Sequence, residues 1–324
     1  SEQGGVFHNY INAKGESVFR HNTFRFIKRD TTAFTKVFKI NPINTANVSY
    51  GGSYVDNGDQ SNNNLNDQLE WVNLKVKYEN GIYYLESDYM YFEDNSVPLD
   101  ATDYEQSNDT FVFNRSDQAF EAVNTYYHIN KFAEYIDSLG YNSVIKPISV
   151  DVHGFGGADN SAYNPNDHSL QFGEGGVDDA EDGEVVIHEY VHSLSETASA
   201  NTTIGRQREA MEEGICDYMA KAYSRTFNDN TPSLIFSWDG HNEFWDGFEI
   251  NTNRLYPQDL KNSKDGDRDM WSSVLMCIHD YIGREVTDSL VLEHLFYQKP
   301  NATMQAMADI LLTIDRDDFK GRNY

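Results

Sequence analysis

Cysteine is almost absent from this chain of 324 residues, with only Cys216 and Cys277 present. That excludes a disulfide scaffold and a cysteine-rich zinc ribbon, so any zinc site must be built from histidines and carboxylates. Basic residues are scarce as well: 25 Lys and Arg stand against 52 Asp and Glu, a formal net charge of −27. Such a surface repels phosphate backbones and anionic membranes, which argues against a nucleic-acid partner. No apolar run approaches the ~18 residues a membrane span needs, and Ser1-Glu2-Gln3-Gly4-Gly5 has neither basic nor hydrophobic signal character. Internal repeats and extended linkers are also missing. The length fits one large domain or two closely packed ones.

What is present reads as α+β. Residues 1–109 are β-rich: Val18-Phe19-Arg20, Phe24-Arg25-Phe26-Ile27 and Val37-Phe38-Lys39-Ile40 look like strands, the last ending at Asn41-Pro42. Trp71 to Tyr78 alternates with period two, and Glu79-Asn80-Gly81 turns it into Ile82-Tyr83-Tyr84-Leu85, a hairpin. The intervening Asp56 to Asn64 stretch is too polar to pack; it reads as a solvated loop, with oxygen ligands for calcium but without EF-hand spacing.

Residues 110–200 form an α/β region. A helix from Ser116 or Asp117 to Leu139 carries one apolar face and His128, read as a packing or surface residue. The strand Ile148 to His153 and a glycine-rich bend follow. Then come two short strands, Asn160 to Pro165 and Ser169 to Gly173; the proline points to a sheet edge, where an extended peptide could pair. Residues 201–324 are mainly helical, at Ala210–Ala220, Met270–Ile282, Val286–Phe296 and Thr303–Ile314; both cysteines fall on these helices, where spacing leaves their pairing open and reduced buried thiols are the favoured reading.

Between the last two regions lies Val185-Val186-Ile187-His188-Glu189-Tyr190-Val191-His192, an apolar approach to His-Glu-x-x-His. On a helix His188 and His192 sit one turn apart on one face and reach one small cation, with Glu189 beside them to take a proton from metal-bound water. A catalytic zinc takes three protein ligands and keeps one position open. Glu213, 21 residues after His192, is the third candidate, and Asp217 one turn further along can accept the outward N–H of a bound histidine. Glu212 competes for the ligand role, but its spacing to Asp217 turns it off that face.

These residues resemble the gluzincin metallopeptidases of the thermolysin and fungalysin type, most closely the bacterial fungalysin-like ones. The likeness rests on His188-Glu189-Tyr190-Val191-His192, Glu213-Gly214-Ile215-Cys216-Asp217, Asn160-Ser161-Ala162-Tyr163-Asn164 and the Val177 to Asp182 run, and covers roughly residues 110–315. It implies a two-lobed fold with zinc at the bottom of a cleft, secretion, and a propeptide that is removed. His188, His192 and Glu213 would bind Zn2+, Glu189 would act as base and acid, and Asp217 would partner His188. Asn160 and Ala162 would face the substrate main chain. Glu184 falls where relatives have an acidic calcium ligand, which makes Ca2+ a second candidate ion.

One departure stands out. The family places a histidine a few residues before an Ile-Trp-Ser type helix, donating to the developing oxyanion; here Asp265 holds the nearest position, and no histidine lies between His241 and His279. Arg268, Arg254 and His241 are the candidate replacements. The resemblance therefore implies a secreted zinc endopeptidase, with a rival reading as a weakly active or inactive binding or adhesion domain that retains zinc.

Overall fold

The computed structural model describes residues 28–98, 104–228 and 230–317, and the backbone of 5–11 and 17–24. Arg25-Phe26-Ile27 and Asp229 lie outside the described residues. The first two described segments pair as an antiparallel hairpin, Gly5–Ile11 with Ser17–Phe24. Next, Arg29–Phe38 and Leu69–Glu79 pair antiparallel over ten residues at the centre of a five-stranded sheet. Period-two alternation works as expected: Ala33, Val37, Leu74 and Val76 are buried, while Trp71 stays exposed. The hairpin to Ile82–Tyr84 turns on Asn80 (φ 52°) and Gly81 (φ 91°), left-handed positions suited to Asn-Gly.

A long helix, Ala119–Ser138, covers this sheet and is buried on most of its circumference. It starts two to three residues later than the sequence suggests, with no side-chain cap at Gln118. His128 is a packing residue, fully buried, with Nε2 3.0 Å from the Phe38 carbonyl oxygen and Nδ1 2.9 Å from the Tyr223 hydroxyl. Burial pulls its pKa down to about 3.

The second sheet has the order Ser161–Asn164, Ser169–Phe172, Ile148–Asp151, Met90–Phe92. Ser169–Phe172 and Met90–Phe92 both pair parallel with the buried Ile148–Asp151, whereas Ser161–Asn164 pairs antiparallel on one side only and forms an edge, where Pro165 requires no partner. Beyond it runs the His-Glu helix, Gly183–Ala198, capped by the Asp182 side chain, which accepts from the Glu184 N–H at 2.9 Å. Gly183 lies against the His128 ring; a Cβ there would come within 2.6 Å of it. Gly183→Ala should therefore destabilise the protein by about 1–3 kcal/mol, read as a lower urea midpoint; an unchanged midpoint would mean the buried ring can step aside.

The C-terminal region packs Arg206–Ser224, Lys264–Ile282, Arg284–Leu295 and Met304–Asp317. The second of these begins six residues before the expected Met270. Lys264-Asp265-Gly266-Asp267 reads as irregular by composition, yet Ser263 caps it, accepting from the Gly266 N–H at 3.3 Å, and Asp265 and Asp267 suit the positive end of the helix dipole. It crosses Arg206–Ser224 closely at Gly214, where a Cβ would meet the Arg268 carbonyl oxygen at 2.6 Å. Both thiols are free, as read, but Cys277 is exposed where burial was expected. The polar loop is not simply solvated either, since Asp56 is buried and pairs with buried Arg115.

Candidate metal centre

Three elements converge on one cleft of about 800 Å3, lined among others by Ala162, His188, Glu189, His192, Glu213 and Lys264. The His-Glu helix carries both imidazoles on one face, with ring centroids 5.0 Å apart. From the adjacent helix, Glu213 extends between them: Oε2 lies 3.4 Å from His188 Nε2 and Oε1 3.9 Å from His192 Nε2. The two Nδ1 atoms face away toward other carboxylates. That of His188 lies 3.1 Å from Asp217 Oδ1, and that of His192 lies 3.2 Å from Glu212 Oε1.

This arrangement suits zinc. Two Nε2 atoms and a carboxylate face a common point open to the cleft, and each histidine has a carboxylate close to its far nitrogen, as metal-bound histidines commonly do. Cys216 also lies close, with Sγ 3.4 Å from His192 Nδ1, but on the ring edge away from Glu213. Burial, reinforced by Glu212 and Glu213, raises its pKa well above the usual thiol range, so it is a protonated neighbour. The carboxylates are held charged against burial. Glu212 is lowered to about 2 by His192 and Arg208, and Glu213 is lowered well below its usual value by His188, His192 and Arg268, in each case overcoming desolvation. Burial lowers the pKa of His188, but Asp217 and Glu213 outweigh it and raise the value to about 9. Metal binding at this site therefore displaces protons.

Glu212 is the partner that sequence reasoning set aside. Beyond His192 Nδ1 it accepts from Ser195 Oγ at 2.8 Å and from Arg208 Nη1 at 2.6 Å, contacts that suit a carboxylate orienting His192. The i,i+4 spacing of Arg208 and Glu212 was the signal available for it. Asp217 is gripped by Arg268, whose Nε donates to Oδ2 at 2.6 Å and whose Nη2 donates to Oδ1. Glu189 is buried and doubly held by the edge strand: Ser161 Oγ donates to Oε1 at 3.2 Å and the Tyr163 N–H donates to Oε2 at 3.0 Å. No motif marks these two donors, because one of them is backbone.

The three candidate replacements for the missing histidine separate. Arg268 lines the cleft, with Nη1 3.4 Å from Glu213 Oε2 and 3.7 Å from Asp265 Oδ1, so Asp265 faces a cation. Arg254 is bound to Asp267 and Asp269 outside the cleft lining. His241 has Nε2 3.1 Å from the carbonyl oxygens of Ile235 and Phe248 and also lies outside it, because its ring closes a loop over Gly247. The structure adds a residue that sequence reasoning missed: Lys264 Nζ lies 2.9 Å from Glu213 Oε1, with its side chain half exposed to the cleft. It was overlooked because its helix was expected to begin at Met270. Asn160 and Ala162 both line the cleft. Glu184 lies elsewhere, buried, accepting from Lys221 Nζ at 3.1 Å, Ser224 Oγ at 2.6 Å and the Phe236 N–H at 2.7 Å. Glu184 thus has an ammonium partner.

The fold is a mixed α+β, thermolysin-like metalloproteinase fold. The chain is similar to the structure described as the precursor of protealysin, a metalloproteinase from Serratia proteamaculans, with a TM-score of 0.53 and 14% identity over 71% of this chain and 81% of that one. No protein-family model matches the chain, and no curated protein does.

Proposed function

We propose that this protein is a secreted zinc-dependent endopeptidase. The observation that carries this reading is the shared orientation of His188 Nε2, His192 Nε2 and Glu213, with Glu189 beside them under the edge strand. A zinc ion held by His188, His192 and Glu213 would polarise the scissile carbonyl and acidify a bound water. Glu189, fixed by Ser161 and Tyr163, takes the water proton and passes it to the leaving amine. Ser161–Asn164 offers its unpaired edge to an extended peptide, with Asn160 and Ala162 against the substrate main chain. The cations Lys264 and Arg268 meet the objection behind the adhesion-domain reading, that the cleft has lost its oxyanion donor. The bacterial fungalysin-like assignment rests on the sequence motifs. A removed propeptide belongs to the same reading, supported by the precursor state of the protealysin neighbour.

The test combines metal content with cleavage. One zinc per chain, loss of peptide hydrolysis on chelation and recovery with added zinc are expected; chelator-resistant hydrolysis would reject the mechanism, and tight zinc with no cleavage of a broad peptide library would favour the adhesion domain.

The cleft walls also suggest which peptides fit. Phe236, Trp245 and Phe248 form an aromatic cluster on one side, while Asp159, Asp179 and Asp239 bring carboxylate oxygens within 4.8 Å of one another on another. Burial and mutual repulsion raise the pKa of Asp179 and Asp239 well above the usual carboxylate range, and a substrate cation would relieve that repulsion. Peptides carrying Lys or Arg should be cleaved about tenfold more efficiently than Asp- or Glu-containing ones at low salt, with the ratio shrinking as salt is raised. Equal kcat/KM values across the series would remove this role from the aspartates.

A further inference from the structure

A second group of acidic side chains lies away from the cleft, behind the turn that leads into the His-Glu helix. Glu121 comes from the first turn of the long helix, Asp178 and Glu181 from that turn, and carboxylate oxygens of all three lie within 4.8 Å of one another. Their exposures are 3%, 5% and 0%. Asp59, from the polar loop, turns its Oδ1 inward to the same region, 3.6 Å from Arg115 Nη2. Arg115 is the cation paired with this group, and its hydrogen bonds go to Glu181, through Nε at 2.9 and 3.1 Å, and to Asp56, through Nη2 at 2.9 Å and through Nη1 to the main-chain oxygen. Five carboxyl groups, Asp56, Asp59, Glu121, Asp178 and Glu181, thus gather around one guanidinium.

The acceptors are unmatched as well as crowded. Glu121 Oε2, Asp178 Oδ1 and Asp59 Oδ1 are buried atoms with no hydrogen-bond partner, and His153 Nε2, also without one, lies 3.7 Å from Glu121 Oε2. Burying one unpaired carboxylate already costs several kcal/mol. Arg115 alone does not balance these groups, and the directions agree: burial and then Glu181 push Asp178 to about 11, and the same two causes push Glu121 well above the usual range.

We infer that Glu121, Asp178 and Glu181, with Asp59 from the facing loop, form a binding site for a calcium ion that clamps the His-Glu helix approach to the long helix and the polar loop. The ligand chemistry selects the ion. All four side chains offer hard oxygen donors, which suit Ca2+ or Mg2+ over zinc or copper. A calcium–oxygen bond is ~2.4 Å, so ligand oxygens of one ion stand no more than ~4.8 Å apart, and oxygens of Glu121, Asp178 and Glu181 lie within that limit. Calcium tolerates irregular geometry better than magnesium, which demands a near-ideal octahedron. Asp178 and Glu181 lie ten and seven residues before His188, so an ion here would steady the element that carries the imidazoles without touching them. This site is distinct from Glu184, whose carboxylate is satisfied by Lys221 and Ser224.

Trp238 supplies a reporter, because its Nε1 donates to Glu181 Oε2 at 3.2 Å. Terbium, a luminescent calcium substitute, bound beside Glu181 should be excited through this indole. The intact protein, freed of calcium with EGTA while zinc is kept supplied, should bind one Ca2+ per chain by calorimetry, gain about 5 °C in Tm at a 100-fold excess over Kd, and show terbium emission that calcium displaces. Asp178→Asn and Glu121→Gln should each abolish the calcium-induced Tm gain, and Trp238→Phe should remove the emission while leaving calcium binding intact. Absence of bound calcium in the wild-type protein, or a Tm response that survives both carboxylate substitutions, would overturn the assignment. If either variant fails to fold, terbium emission in the wild-type protein and its loss in Trp238→Phe decide the matter. Magnesium matching calcium in affinity would overturn the choice of ion.

Discussion

Replacing Glu189 by glutamine should lower kcat for a quenched-fluorescence peptide by about 10³-fold while zinc stays bound at one per chain. General acid–base catalysis by a placed side chain is typically worth ~10²–10⁴, and Glu189 serves in two successive proton transfers. The geometry makes glutamine a demanding replacement, since both carboxylate oxygens receive a donor, Ser161 Oγ on one and the Tyr163 N–H on the other. Glutamine keeps one acceptor and turns an NH₂ group toward the other donor, so the side chain loses position as well as basicity. Glu189→Asp keeps the charge but shortens the reach, and should fall between the two. The zinc ligands are separate residues, so metal content should not change. A Glu189→Gln enzyme with full turnover would remove Glu189 from the chemistry, whereas loss of zinc together with activity would assign it a structural role.

Much of this site could be read from the chain because helical spacing is a strong geometric constraint. His188 and His192 at i and i+4 share a face in any helix, and Glu213 with Asp217 repeats the same relation one helix later. The edge strand was legible from Pro165, and the central hairpin from Asn80-Gly81 between alternating runs. What escaped were contacts set by tertiary packing. Glu212 was set aside on its spacing to Asp217, yet its partner is His192 on another helix, and no intrahelical rule anticipates that pairing. His241 and Arg254 were plausible donors by sequence position, but backbone carbonyls hold the first and Asp267 and Asp269 the second. The partner of Glu184 was equally out of sight, because Lys221 lies 37 positions further on. Lys264 was missed because a Gly- and Asp-rich segment folds as a capped first turn that composition alone does not announce.

Lys264 is therefore the residue whose replacement separates an active enzyme from a retained fold. Lys264→Met should lower kcat by about 10²-fold with KM nearly unchanged, the expected cost of losing one donor to a developing oxyanion. Its Nζ lies 2.9 Å from Glu213 Oε1, at the rim of the proposed zinc site. Half of the side chain is exposed, which leaves the ammonium free to swing toward a substrate oxygen. Arg268 is the competing donor, but three of its contacts restrain it: Nε and Nη2 are spent on Asp217, and the guanidinium stacks 4.0 Å over the Phe248 ring. Only Nη1 faces Glu213 and Asp265. Removing Arg268 should act differently, because it leaves the buried carboxylate of Asp217 without its main cation and loosens the orientation of His188. Arg268→Gln should weaken zinc binding by about 10–100-fold, and saturating zinc should restore part of its turnover. Zinc should not rescue Lys264→Met. A phosphonamidate that mimics the tetrahedral species should lose affinity for Lys264→Met in parallel with kcat, while a simple peptide competitor should bind as before. Unimpaired turnover in Lys264→Met would return the donor role to Arg268, since among the described residues these two are the lysine and arginine side chains lining the cleft.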